Sequence, residues 1–183
     1  MAEAVSERGY ANTPVADVLS RAGVSRETFY EQVDNKQECF LAASDEGVAM
    51  LVAAVGEALG STGPERGARG ELIDLALSQY LSVLAAEPAV ARTFLVEVYA
   101  AGPAALARRV VVQARFVDAV AELVGAHGNE QRFACEALVA AASALVTQRI
   151  CAGRTAELLE LHEPLLRFAR TSLRAAGVGL AAG

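Results

Sequence analysis

TPVADVLSRAGVSRETFYEQVDNK, residues 13–36, sets two short helical patterns on either side of a tight Ala22-Gly23-Val24 turn. Thr13 is a good N-cap, because its hydroxyl can accept from an orphan backbone N–H, and Pro14 then falls at the first helical position, where a missing N–H costs nothing. Val15, Val18, Leu19 and Ala22 recur at helical spacing and leave Asp17, Ser20 and Arg21 for solvent. Gly23 supplies the left-handed conformation of a helix C-cap, with Val24 placed to close the apolar contact under the turn. Ser25 restarts the chain as a second N-cap, so Arg26, Glu27 and Thr28 form the first turn of a helix held down by Phe29 and Val33. The spacing suits a helix-turn-helix aimed at a DNA major groove. An isolated helix–glycine–helix corner is also an ordinary packing corner of all-α proteins.

Across AGVSRETFYEQVDNKQECFLAA the chain resembles the TetR family of bacterial transcriptional regulators. Members show a Thr opening the first helix of the motif, an Ala-Gly-Val-Ser turn, a Thr-aromatic-Tyr run in the recognition helix, and a Lys opening the long helix that follows. Here these are Thr13, Ala22 to Ser25, Thr28 to Tyr30, and Lys36. The resemblance implies a DNA-binding site of Thr13, Ser25, Arg26, Glu27, Thr28, Tyr30, Gln32 and Lys36. Arg26 and Glu27 would read bases, while Thr13, Thr28, Tyr30 and Lys36 would anchor phosphates. The chemistry agrees: arginine reaches guanine O6 and N7 with two parallel bonds, and hydroxyl and ammonium groups suit phosphate oxygens. Gln32-Val33 stands where the family usually has His-Phe, and Gln32 can still reach a phosphate or a base. Glu27 and Glu31 fall on the outward side, where a carboxylate meets phosphate repulsion unless it accepts from cytosine N4. MAEAVSERGY resembles only the closing turns of the family's first helix and its Gly-Tyr exit, so that helix is expected to be shortened, with Val5 and Tyr10 packing on Val15, Val18 and Phe29.

The remainder reads as helices. With 183 residues and 54% hydrophobic residues the chain has ample material for a core, and Val110-Val111-Val112 is its only strand-like run, so an all-α fold is expected. Residues 1–46 form the helix-turn-helix head and residues 47–183 a helical domain for effector binding and dimerisation. Lys36 opens a helix to about Leu59, and GSTGPERGARG is the natural hinge. Further helices are expected over Glu71–Ala86, Ala89–Ala101, Ala104–Gly125, Asn129–Cys151 with Asn129 as N-cap, and Ala156–Ala176. Pro164 either kinks the last of these or marks where its regular part begins.

The final two helices carry wide apolar stripes: Phe133, Leu138, Ala141 and Leu145 on one, and Leu158, Leu161, Leu165 and Phe168 on the other. Periodicity alone leaves open whether these stripes pair across a two-fold axis or pack inside one subunit. The resemblance implies the former, a homodimer on a near-palindromic double-stranded operator. It also implies an inducer among the middle helices, where Tyr80, Phe94, Glu97, Tyr99, Arg115 and Phe116 interrupt aliphatic stretches. Family habit points to repression.

Other classes are poorly supported. His127 and His162 lie at loops or helix ends without a partner at catalytic or metal spacing, no glycine-rich phosphate loop is present, and neither Cys nor Ser sits in a nucleophile motif. No enzyme, metal or cofactor is therefore expected. Cys39, Cys135 and Cys151 are odd in number, lack C-x-x-C spacing, and read as buried thiols of a reducing cytoplasm. No uninterrupted apolar run reaches membrane-spanning length, since Arg92 and Glu97 break one candidate and Arg115, Asp118 and Glu122 the next. No signal-peptide pattern opens the chain, so it is expected in the cytoplasm. The second reading is a dimeric small-molecule-binding protein whose DNA-binding head is non-functional.

Charge bears on that alternative. Between Met1 and Glu46 the basic residues are Arg8, Arg21, Arg26 and Lys36, against Glu3, Glu7, Asp17, Glu27, Glu31, Asp34, Glu38, Asp45 and Glu46, a net −5 of the whole chain's −6. Non-specific affinity comes from neutralised phosphates, so this head should make few ion contacts. The expected outcome is a shallow dependence of DNA affinity on salt, read by fluorescence anisotropy across a salt series; a steep slope would contradict it.

Overall fold

Ser25 caps the second helix of the motif, its Oγ accepting from Thr28 N at 3.0 Å, and Gly23 closes the first in the left-handed region at φ 65°. The computed structural model describes residues 1–61 and 69–180. Within these, the head is α1 (Ala2–Arg8), α2 (Val15–Ala22) and α3 (Arg26–Gln32), and α4 (Lys36–Gly60) leads into the body. The body continues with α5 (Arg69–Ala86), α6 (Pro88–Leu95), a 3-10 turn (Glu97–Tyr99), α7 (Pro103–Val124), α8 (Asn129–Cys151), a 3-10 segment (Thr155–Leu161) and α9 (His162–Ala175). The fold is all-helical. Most of the GSTGPERGARG hinge lies outside the described residues.

Several boundaries differ from the sequence reading for local reasons. Pro14, not Thr13, occupies the N-cap of α2, because the Thr13 side chain is turned inward and fully buried. Val24 remains 39% exposed, so the turn is closed by its backbone, Val24 N bonding Leu19 O, rather than by an apolar seal. Pro88 is the first residue of α6, which stops at Leu95 instead of running to Ala101. Gly128 replaces Asn129 as the cap of α8; Gln131 reaches back to accept from His127 N and Gly128 N at 2.9 and 3.2 Å. Pro164 sits in the first turn of α9, where it removes no helical bond, and the preceding segment is 3-10.

Two apolar clusters fill the body. One joins Leu51, Leu81, Leu84, Phe94, Val146, Leu158, Leu161 and Leu165; the other joins Ile73, Val124, Cys135, Leu138, Leu166 and Leu173. α4 crosses α6 closely at Gly47, where an added Cβ would lie 2.6 Å from Val90 Cγ1. By length and composition α4 and α8 could each cross a membrane, contrary to the sequence reading. Both helices are alanine-rich and bury part of their large side chains in the fold, Phe40 and Leu51 on α4 and Val146 and Ile150 on α8. Of the three cysteines Cys135 is buried, Cys39 half-buried and Cys151 exposed, so burial holds for the thiols only in part.

α1 has two partners. Ala4 joins Val18 and Phe29 in the head core, whereas Val5 turns to Phe40, Val98, Ala101 and Ala105, with Tyr10 beside it. Val5 and Tyr10 were expected in the head core and instead fasten the head to the body.

Candidate nucleic-acid interface

The recognition helix α3 is short and depends on one anchor. Phe29 is buried against Ala4 and Val18. Around it Arg26, Glu27, Thr28, Tyr30, Glu31 and Gln32 are all exposed, so the two residues expected to read bases, Arg26 and Glu27, stand in solvent at the start of the helix. Ser25 Oγ also lies 3.0 Å from Thr28 Oγ1, which pins two hydroxyls at the helix start. The Tyr30 ring meets Phe29 edge-on at 5.2 Å and keeps its polar end in solvent.

The head's cations are unequally available. Arg8 pairs with Asp17, and Arg21 pairs with Glu7 and, at 3.6 Å, with Glu3, bracing α1 against α2. The Arg21 guanidinium holds the Glu7 carboxyl below its ordinary pKa. Lys36 Nζ donates to Tyr10 O at 2.9 Å and Thr13 O at 3.2 Å and stands 4.1 Å from the Tyr10 ring centroid. Two of its three N–H groups thus tie the turn between α1 and α2, leaving one outside these bonds. Arg26 alone among the head's basic residues has no ion-pair or hydrogen-bond partner among the described residues.

Thr13 does not stand at this surface. Its hydroxyl is within bonding distance of Gly9 O at 2.8 Å and Ala4 O at 3.2 Å, which spends the group on closing α1. The expectation of a phosphate contact from the Thr13 side chain is corrected by that burial.

A set of polar ties joins the head to the body. Glu97, only 6% exposed, accepts from Tyr10 N at 2.8 Å through one carboxylate oxygen and pairs with Arg92 at 3.1 Å through the other. Gly9, at φ +77°, makes room for this approach; a Cβ there would lie 3.3 Å from the carboxylate. Gln37 donates to Ala101 O, and Arg108 forks onto Asp45 at 2.7 and 2.6 Å. Sequence reasoning missed Gln37, Asp45 and Arg108, since no local signal connects residues more than sixty apart in the chain.

The residues expected to line an effector site are scattered. Tyr80 and Phe116 are half-buried and Phe94 buried, all against the first body cluster. Glu97 faces the head, Tyr99 is 57% exposed, and Arg115 is exposed. The dimer candidates also divide. Leu138, Leu158, Leu161 and Leu165 are buried inside the subunit, correcting their placement at an interface, while Ala141 and Leu145 are half-buried. Phe133 and Phe168, 69% and 41% exposed, line an open groove of about 570 Å³ with Ala137, Ser172 and Ala176. Among the described residues no group of three or more His, Cys, Asp or Glu is placed to hold a metal.

Comparison with known proteins follows this geometry. Residues 2–43 match the family model described as bacterial regulatory proteins, tetR family. The fatty acid degradation regulator FadR from Bacillus halodurans is similar at 18% identity and TM-score 0.78, with 92% of each chain covered. The transcriptional regulator FadR from Bacillus subtilis, solved in complex with stearoyl-CoA, is similar at 17% identity and TM-score 0.79, over 93% of this chain and 94% of that one. PfmR from Thermus thermophilus, a TetR family transcriptional regulator, matches at 16% identity and TM-score 0.67 over 91% of this chain and 94% of that one. Among curated proteins none matches the sequence.

Replacing Glu97 by Ala should strand Arg92 and the Tyr10 N–H and lower stability by about 1–3 kcal/mol. Thermal denaturation would register the loss and hydrogen exchange would show faster opening at Tyr10. Unaltered exchange there would mean that the head is held by other contacts.

Proposed function

We propose that this chain, whose residues 2–43 match the tetR family model, is a DNA-binding transcriptional regulator that works as a homodimeric repressor released by a small molecule. Its place is the bacterial cytoplasm, with residues 1–46 reading the operator and the body sensing the effector. The observation that carries the reading is Arg26, a guanidinium at the start of an exposed recognition helix that no carboxylate in the head neutralises. Arg26 reads guanine, and Glu27 accepts from cytosine N4. Thr28, Tyr30, Gln32, the remaining Lys36 donor and the backbone at Ser25 meet phosphates and set register.

Pairing runs through the outer face of α8 and α9. Phe133, Ala137, Ala140 and Ala144 form one stripe on α8, and Phe168 lies beside it on α9. Alanines let two helices approach closely, and burying two aromatic rings per subunit supplies apolar area. The effector class we propose is a molecule with an apolar tail. Stearoyl-CoA, bound by the Bacillus subtilis regulator of like fold, is an example of one.

Selection from random DNA should recover a near-palindrome. Arg26→Ala should then relax preference at the contacted base by about 1–3 kcal/mol, while Lys36→Ala weakens all sequences alike. An unchanged preferred site in Arg26→Ala would remove the base-reading role, and failure of the parent chain to select any site would favour the sensor-only alternative. Phe133→Glu with Phe168→Glu should convert the dimer to monomer by analytical ultracentrifugation without loss of helicity; a dimer of undiminished strength would place the interface elsewhere.

A further inference from the structure

Lys36 is the only lysine of the chain. It opens α4, and its half-buried side chain ends in a cradle made by the turn that leaves α1. Nζ donates to Tyr10 O at 2.9 Å and to Thr13 O at 3.2 Å and stands 4.1 Å from the Tyr10 ring centroid. With two N–H groups so directed, the tetrahedral ammonium has the direction of its third N–H fixed as well. A lysine on a free helix end samples many rotamers and loses that freedom on meeting a phosphate. The cradle removes this loss in advance.

The cradle is fastened from outside the head. Within the turn Thr13 Oγ1 bonds Gly9 O at 2.8 Å and Thr13 N bonds Tyr10 O at 3.3 Å, which keeps the two accepting carbonyls together. The Tyr10 amide is directed into the body, where Glu97 Oε2 accepts from it at 2.8 Å. Glu97 and Lys36 therefore grip opposite ends of one residue, the carboxylate its N–H and the ammonium its C=O. The carboxylate is itself held, since it is buried and Arg92 pairs with its other oxygen at 3.1 Å. Phe40 meets the Tyr10 ring edge-on at 5.0 Å, which limits rotation of the ring beneath Lys36.

We propose that Glu97 is a positioning residue for DNA binding: by holding the Tyr10 amide it fixes the carbonyl and the ring that aim the Lys36 ammonium at a phosphate. This inference rests on the reading of Lys36 as a phosphate contact. Glu97 thus acts on one ion contact with DNA, beyond bracing the head. An ion contact has its own signature, because each neutralised phosphate releases counterions and steepens the dependence of affinity on salt. DNA affinity is then set in part by a residue that lies outside positions 1–46.

The test uses the full chain in two measurements: fluorescence anisotropy on the selected operator across a salt series, and nuclear magnetic resonance of the free protein with isotope-labelled lysine. The sole lysine gives a single side-chain ammonium signal. Lys36→Ala should reduce the slope of log affinity against log salt by about 0.9 per subunit. Glu97→Ala should reduce the slope by the same amount and weaken binding roughly tenfold, and on the Lys36→Ala background it should add nothing further. In the free protein it should shift the ammonium signal and speed its proton exchange. Glu97→Asp keeps a charge for Arg92 but shortens the reach to Tyr10, so it should move both readouts less and in the same direction, and it replaces the alanine variant if that one loses helicity by circular dichroism. A parent-like salt slope in a folded Glu97 variant, an unchanged ammonium signal, or a fully additive loss on the Lys36→Ala background would each overturn the proposal and leave the regulator reading standing. An unchanged slope in Lys36→Ala, or a parent chain that selects no operator, would overturn it together with the reading on which it rests.

Discussion

The Glu97 carboxylate is buried at the junction of head and body, and the placement of the recognition helix depends on what it holds. A carboxylate in such surroundings persists because each oxygen has a partner, the Arg92 guanidinium on one side and the Tyr10 N–H on the other. That N–H belongs to the exit turn of α1, and α1 in turn carries Ala4 into the head core against Phe29. The chain of contact therefore runs from α6 and its 3-10 turn through α1 to the single anchor of α3. Gly9 is part of the same constraint, since its positive φ and missing side chain let the carboxylate reach the backbone.

An acidic head can still bind DNA if its cations are sorted by task. Arg8 and Arg21 stiffen the head through carboxylates on neighbouring helices, and Lys36 clamps the turn between α1 and α2. Arg26 is left without an ion-pair or hydrogen-bond partner among the described residues. Such an arrangement leaves few cations for the non-specific attraction that phosphate neutralisation supplies. Thr13 illustrates the same economy of groups: its hydroxyl closes α1 from the inside, and the head gains rigidity where a phosphate contact was expected.

In the body, large apolar side chains and small ones divide the work. Leu138 of α8, Leu158 and Leu161 of the 3-10 segment and Leu165, Leu166 and Leu173 of α9 fill the interior, and the outer face keeps two phenylalanines among alanines. Arg109 on α7 is a half-buried cation held by the Ser143 hydroxyl and the Tyr99 ring. Tyr99, which faces Arg109, and Glu97, which faces the head, share one short turn and stand two positions apart.

Local structure was legible in the residues because caps and turns are made by near neighbours. Ser25 with Thr28, Gly23 in the left-handed region, Gly125 closing α7 and the helical periods around them all act within a few positions. The outward set from Arg26 to Gln32 followed from where that helix begins. What a stripe faces could not follow in the same way, since apolar periodicity is identical for a core and an interface. Leu158, Leu161 and Leu165 proved interior while Phe133 and Phe168 proved exterior, and Val5 and Tyr10 left the head core for the body. Glu97, Arg109 and Asp45 acquire their meaning from partners many helical turns away along the chain. The sequence by itself determined the helices and the Gly23–Ser25 corner between α2 and α3; only the tertiary structure decided which charges are paired, because pairing depends on distances that folding alone creates.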